Sequence, residues 1–365
     1  MDGPAVSGTL LVLFLYDLSD AIRLEEVRRI VGAPPRGREP SFRHAVPQYV
    51  QFAEPPVIEA LPPQEVAGHS AKGRLGYYDY GVVSVLFEIP FEGSWDDLIA
   101  LSTHSINAPE LEQHAAAIVR ERMPKMAPAL VAPNQRKLKE DYYIFYVRKW
   151  QEPELGVPAT GAALIEKRGE EIAQIIRGER ARFAASELSE ILESHISYYE
   201  NDLLVVGWSA ALIYDTPEGA VPTIQLLEFA NTQLLEFRYY DEVLSDLLSQ
   251  SHRNLQRGVG ALARWRMAHE AERLNAIRLE IRDLTERVDN SIKFLSDMFS
   301  ARLYRMAATR IGVPDYRTLV DQKLQSAGEL YGFMMDRFYQ GRAFILELMV
   351  VIILIVELFY FFRGH

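Results

Sequence analysis

The residues best equipped for chemistry crowd into one stretch, "LLEFANTQLLEFRYYDEVL" (residues 226–244). There LLEF recurs after eight residues, and Glu228, Asn231, Glu236, Arg238, Asp241 and Glu242 thread an apolar helical pattern. Carboxylates on one helix can ligate metals or move protons, and they can equally carry the ion pairs that lock a helix onto its neighbours. Di-iron or zinc chemistry would need histidine at set spacings. None of the eight histidines follows a Glu by three residues, and "HEAER" at His269 has Arg273 where a second zinc ligand would stand.

The common phosphate-binding loops are absent, since the chain has neither G-x-x-x-x-G-K-[ST] nor a G-x-G-x-x-G after a strand. "GWSAA" at Gly207 resembles a nucleophile elbow but lies between two strands, so a hairpin turn is the better reading. With no cysteine, disulfides, thiolate metal sites and a cysteine nucleophile are excluded. These absences assign no catalytic, cofactor-binding or metal-binding residue, and the chain reads as a non-enzyme without a cofactor. A formal net charge of -11 also argues against broad nucleic-acid binding, which needs clustered Lys and Arg, although a local basic patch stays open.

Plotted at about 100° per residue, the stretch places Leu226, Leu227, Ala230, Leu234, Phe237, Leu244 and Leu248 on one face. Asp241 falls within that face. A bare carboxylate there is costly, so it is expected to pair with Arg238 or with an arginine of a neighbouring helix. Glu228, Asn231, Leu235, Arg238 and Glu242 form a flanking strip able to bond a second helix or the α/β part. These polar residues are therefore expected to fix helix register, with a proton-handling or ligand-binding cluster as the alternative.

The elements around this helix follow from composition and period. With 365 residues the chain is long enough for two domains. "TLLVLFLY" reads as a buried strand, and "SDAIRLEEVRRIVG" as a helix opened by Ser19 and Asp20 and closed by Gly32. Residues 33–63 hold eight prolines and read as extended edge strand and loop. "GVVSVLFEIPF" and "DYYIFYVRKW" read as strands, and "SWDDLIAL" begins with a capping box between Ser94 and Asp97. "APELEQHAAAIVRERM", "AALIEKRGEEIAQIIRGE" and "SELSEILESHI" read as helices, and "DLLVVGWSAALIYD" as two short strands about a tight turn.

Beyond Pro222 the period is helical throughout. Leu274, Ile277, Ile281, Leu284, Val288, Ser291, Leu295 and Met298 fit alternating a and d positions, a coiled-coil or antiparallel-hairpin seam whose partner is the preceding helix of this chain or another copy of the chain. Residues 343–362, "AFILELMVVIILIVELFYFF", are apolar at eighteen of twenty positions, the length that crosses a bilayer core. Large apolar residues contribute roughly -0.3 to -0.6 kcal/mol each against about +3 for a central acid, so insertion is favourable. Arg337 and Arg342 precede the span, which predicts a cytoplasmic N-terminal bulk and a single-pass protein of the inner (plasma) membrane. Glu347 and Glu357 lie within the span near its ends, as candidates for oligomer contact, ion handling or interfacial placement.

The expected fold is α+β. An N-terminal α/β domain (residues 1–220) is followed by a long antiparallel, coiled-coil-like helical domain (221–342) and one C-terminal transmembrane helix (343–362).

Several segments resemble the YagE-type family, also called the required-for-meiotic-nuclear-division family. They are "LIEKRGEEIAQIIRGE", Asn201-Asp202 before a strand, Trp208, Tyr214-Asp215, the "LLEFANTQLLEFRYYDE" helix, and Glu347 and Glu357; Leu348 departs from the tryptophan expected there. The resemblance implies an inner-membrane protein with one C-terminal span that forms large homo-oligomers. It implies no catalytic residues, and its eukaryotic members support mitochondrial translation by holding ribosomes at the membrane.

The function expected is that of a membrane-anchored, homo-oligomeric scaffold or tether. Its partners are further copies of itself, the lipid bilayer, and the ribosome or another large assembly, without sequence-specific nucleic-acid binding. Two alternatives stay open. One is an oligomeric conduit resembling the architecture of CorA-type magnesium channels, with Glu347 or Glu357 at the pore, although one span replaces two and the G-M-N signature is missing. The other is an enzyme with a site in the aromatic "YYDYG" to "DYYIFY" region.

Overall fold

A computed structural model describes residues 5–34, 55–134, 138–151, 160–256, 269, 271–283 and 298–363. It is a mixed α+β protein with an N-terminal sheet domain and C-terminal helices. The chain divides into two compact units, one of Met1–Tyr239 with Arg287–Tyr316, the other of Tyr240–Glu286 with Arg317–His365.

The first unit is built on an eight-stranded sheet. Its strands in chain order are β1 (Ala5–Asp17), β3 (Val57–Val66), β4 (His69–Tyr77), β5 (Val82–Gly93), β7 (Lys139–Gln151), β8 (His195–Ile196), β9 (Leu203–Val206) and β10 (Ala210–Tyr214), arranged β3-β4-β5-β1-β7-β10-β9-β8. All neighbours run antiparallel except β10 and β7. β1 is central and covered on both faces, which is why it reads as a continuous apolar run instead of an alternating one. Edge strand β3 tolerates Pro62 and Pro63 because its register shifts between Leu61 and Gln64, where no ladder N–H is required.

One sheet face packs on α1 (Leu24–Val31), α2 (Trp95–Ile106), α3 (Pro109–Met126), α4 (Gly161–Arg177) and α5 (Ala185–Glu193), with Leu10, Val12, Phe14, Phe87 and Phe145 in that core. The intervening β1 residues Leu11, Leu13 and Leu15 are also buried, on the opposite face, which carries α6 (Pro217–Gln256) through Ser84 and Glu140 and, against β9, α8 (Met298–Ile311). Ser94 caps α2 as expected: its hydroxyl accepts from the Asp97 N–H at 3.2 Å while the Asp97 carboxylate accepts from the Ser94 N–H at 2.8 Å.

One helix boundary differs from expectation. Ser19 and Asp20 do not open a helix; they lie in β2 (Ser19–Ile22), which pairs with β6 (Leu130–Pro133), and α1 starts at Leu24. The Ser19 hydroxyl bonds the Ala21 carbonyl instead of a helix N–H, and Gly81 turns at φ +97 with its Cα beneath the Ser19 carbonyl. Gly32 ends α1 in the left-handed conformation, as its position predicts.

The second unit is helical. It holds the C-terminal part of α6, the helix of residues 271–283 (α7), and most of α9 (Val313–Arg363). Leu274, Ile277 and Ile281 are buried within the single chain, and Arg278 reaches Gly328 of α9, so this part of the seam has its partner in the same chain. On α9, Val320, Ala327 and Met334 are buried at seven-residue intervals. Met298 is not on the seam: it opens α8 and is 87% exposed. Leu284, Val288, Ser291 and Leu295 lie outside the described residues.

Among the described residues, no helix is long and apolar enough to cross a membrane. Side chains at 343–346, 348 and 360–362 of the expected span lie outside the described residues. Its middle is a continuous part of α9 in which all ten apolar residues from Met349 to Phe359 are between 48% and 61% exposed.

Candidate functional site

The polar helix of the opening stretch is α6, and between residues 226 and 237 it is buried on every side, polar residues included. Its carboxylate Glu228, 2% exposed, accepts from Arg74 of β4 at 2.5 Å and from the Ser84 hydroxyl of β5 at 2.7 Å. The fully buried Tyr78 hydroxyl also bonds Glu228, and burial raises that phenol's pKa well above its ordinary value. One turn on, Thr232 shares a 2.8 Å hydrogen bond with Tyr80, whose phenol burial likewise raises. Asn231 is buried and donates to the Leu227 carbonyl of its own helix at 2.8 Å.

Farther along, Arg238 pairs with Glu140 of β7, and Tyr239 donates at 3.2 Å to Asn134, which donates to Asp17 at 2.6 Å. Burial, with nearby Asp20, pushes the Asp17 carboxyl up to about 8 against the Asn134 hydrogen bond. Of the sequence-predicted strip, Glu228 and Arg238 thus bind the sheet, whereas Asn231 bonds within α6.

Asp241 is half-buried and paired as expected, but its partner is not an arginine. Lys323 of α9 reaches its carboxylate at 2.5 Å, its backbone carbonyl at 3.2 Å and Ser245 at 2.6 Å, while Arg238 is taken by Glu140. Glu242 is half-buried in the same helical unit. Replacing Asp241 with Ala is expected to cost about 1 kcal/mol, since both partners keep some solvent access. Hydrogen exchange along residues 313–336 should accelerate, and unchanged exchange would show that the pair ties nothing.

A cavity of about 330 Å3 opens beside the start of α6. It gathers Asn201-Asp202 and Asp215 from separate strands' ends, with Tyr198, Tyr199 and Phe299 as its aromatic wall. The loop is fixed by Asp202, whose two carboxylate oxygens accept from the Tyr198 and Tyr199 N–H groups at 2.8 Å each. Asp215 accepts from the Thr216 N–H at 2.6 Å, and a Cβ at Gly219 would lie 2.3 Å from the Asp215 carboxylate and force it to shift. Tyr198 meets Phe299 edge-on at 4.8 Å.

Burial, helped by Asp202, pushes the Asp215 carboxyl up to about 6, although the Thr216 N–H pulls it down. No described lining residue is a histidine, lysine or arginine. The cavity therefore offers carboxylates and aromatic rings, with no cationic side chain among its described lining residues. Because the folded-state value lies above the unfolded one, Asp215 withdraws stability as pH rises from about 4 through 6. Asp215→Asn is expected to melt higher than the native chain at pH 7.5, by about 1 kcal/mol after allowing for partial exposure, with the gap closing by pH 4. A gap independent of pH would contradict this ionisation.

The aromatic region expected to hold an alternative enzyme site is core: Tyr77, Tyr78, Tyr142, Tyr143 and Phe145 are all buried. Gly207–Ser209 forms the turn between β9 and β10, as expected, not a nucleophile elbow. Glu347 and Glu357 are both exposed on α9. Sequence reasoning missed Arg74, Ser84 and Lys323. Ser84 left a trace, as the one hydroxyl inside the apolar run "VVSVLFEI".

Residues 7–220 match a family described as "Uncharacterized protein MJ0711, N-terminal domain". The uncharacterized protein MJ0711 of Methanocaldococcus jannaschii is 19% identical over 225 residues, which cover 62% of this chain and 66% of that protein. No solved structure matches the chain. The sheet, Asp202, Trp208 and Asp215 fall inside the matched region; most of α6 and all of α8 and α9 fall outside it.

Proposed function

We infer that this chain, which belongs to the family of the MJ0711 N-terminal domain, is a membrane-anchored homo-oligomeric scaffold whose sheet unit presents a surface to a partner. The observation that carries the reading is the end of α9. A helix apolar all round is either buried in a large core or surrounded by lipid, and among the described residues the apolar side chains from Met349 to Phe359 stay about half exposed. With its flanking residues the apolar sequence reaches the roughly 20 residues of a bilayer crossing.

In this reading Glu347 and Glu357 belong to the ends of the anchor. They stand about 15 Å apart along the helix axis, each near one end of the apolar segment, where headgroups or a neighbouring copy can solvate them. The α6 grip supports the scaffold half of the reading, because Glu228 is committed to Arg74 and Ser84, and Arg238 to Glu140 of the sheet, instead of facing an open site. The partner that the YagE-type resemblance favours is a large assembly such as the ribosome, held at the membrane on its cytoplasmic side.

Self-association is tested by sedimentation of the full chain in mild detergent. The reading predicts a species of several 41.6 kDa chains; a monomer at all concentrations would remove the oligomer from it.

A further inference from the structure

We propose that the sheet unit carries a binding site for a nucleoside phosphate, in a second cavity separate from the one beside Asp215. This cavity, of about 830 Å3, lies between the β9–β10 turn, the ends of α4 and α5, and α8. Its volume is in the range that accepts a nucleotide-sized ligand. The proposal does not rest on the membrane anchor.

Trp208 stands at the turn and is 56% exposed, an unusual place for an indole. It is nevertheless seated. Gly312 lies against its benzo ring, where a Cβ would come within 3.2 Å, so one side of the ring is backed by main chain and another opens into the cavity. A fixed, half-open indole is the platform on which a nucleobase stacks.

The charge of the cavity runs against that of the chain. Arg177, Arg302, Arg305 and Arg310 line it against Glu190 and Asp315, in a protein of net charge -11. Arg310 is occupied by Glu190, at 3.0 Å to the carboxylate and 3.2 Å to the carbonyl, and Arg177 is occupied by Glu187. Arg302 and Arg305 are different. They lie three residues apart on one face of α8, both exposed, and among the described residues neither has a carboxylate within ion-pair distance.

Arg305 spends its Nε on the Ala301 carbonyl at 3.2 Å, and Arg302 lies over Phe299 at 5.5 Å, which leaves the guanidinium forks with donors to offer. Two adjacent forks match the oxygens of a phosphate, and the Ser209 hydroxyl can meet the edge of a base, with Thr309, whose proton goes to the Arg305 carbonyl at 2.8 Å, able to accept only. An acidic peptide would use the arginines but not the indole. Inorganic phosphate would also leave the indole idle.

The test is calorimetric titration of the full chain in detergent with AMP, GMP and CMP, ribose 5-phosphate, inorganic phosphate, and a single-stranded RNA heptamer. The nucleotides should bind, ribose 5-phosphate and inorganic phosphate at least tenfold more weakly. Trp208→Ala should weaken the nucleotides by about tenfold or more, the scale of one base–aromatic stack, while Trp208→Phe retains binding and shows that the fold is intact. Arg302→Ala with Arg305→Ala should abolish it. The proposal is overturned if no nucleotide binds at millimolar concentration, if these variants bind as the native chain does, if phosphate alone binds equally well, or if only the RNA binds.

Discussion

Glu228→Ala should lower the stability of the sheet unit by about 3 kcal/mol, or roughly 10 °C in melting temperature. The side chain is 3% exposed, and its removal strands the Arg74 guanidinium, the Ser84 hydroxyl and the Tyr78 phenol at once. The full penalty for a buried, unpaired charge is larger. Arg74 keeps 23% of its side-chain surface, so part of its charge can be rehydrated. Glu228→Gln, which retains the shape and some acceptors, should cost about half as much.

The double variant Arg74→Met with Glu228→Leu should recover most of the loss, because two apolar groups of similar volume leave little to desolvate. Differential scanning calorimetry of the native chain, the single variants Arg74→Met and Glu228→Leu, and the double variant measures the coupling. If the two single losses simply add in the double variant, the carboxylate and guanidinium do not act as a pair, and the grip assigned to α6 is wrong at its centre.

The second large effect concerns the end of α9. Ile352 and Ile355 lie in the middle of the exposed apolar segment. Arginine at a central position disfavours insertion by about 2.5–3.5 kcal/mol, and two such residues three apart on one face have no way to reach both interfaces. Ile352→Arg with Ile355→Arg is therefore expected to move the chain out of the fraction that resists alkaline extraction of membranes. The sheet unit should melt unchanged, since it does not contain these residues. Retention of the double variant in the extracted membranes would mean that something other than this helix holds the chain there.

Much of the sheet unit was legible because its signals are local. β1, β5 and β7 announce themselves as apolar runs, the α2 start as a Ser94–Asp97 box, and the β9–β10 hairpin as two short runs about Gly207. β2 misled because Ser19-Asp20 ahead of an apolar periodic segment is also a helix-start pattern; pairing with β6, more than a hundred residues away, decides otherwise. β4 was not legible at all. "HSAKGRLGY" has two glycines and two basic residues and draws its strand character from its neighbours β3 and β5.

The sites follow the same division. Asp241 was identified as a carboxylate in need of a partner from helical phase alone, but Lys323 is 82 residues away, and no local rule selects it over an arginine. Glu228 was placed on a bonding strip, yet the depth of its burial depends on α6 having the sheet on one side and α8 on another, where Phe229 meets Tyr304 at 5.7 Å. Both cavities are assembled from segments more than seventy residues apart. Asn201-Asp202, Trp208 and Tyr214-Asp215 were visible in the sequence only as scattered features of a resemblance; their grouping around two cavities needed the topology.

The central claim is that the last helix anchors the chain in a bilayer, and vesicle flotation tests it most directly. The purified full chain is reconstituted by detergent removal with phosphatidylcholine vesicles, washed with alkaline carbonate and spun through a density gradient. The account predicts that it floats with the lipid, while a chain ending at residue 336 stays at the bottom. A full chain that remains at the bottom, soluble and monodisperse without detergent, would contradict it.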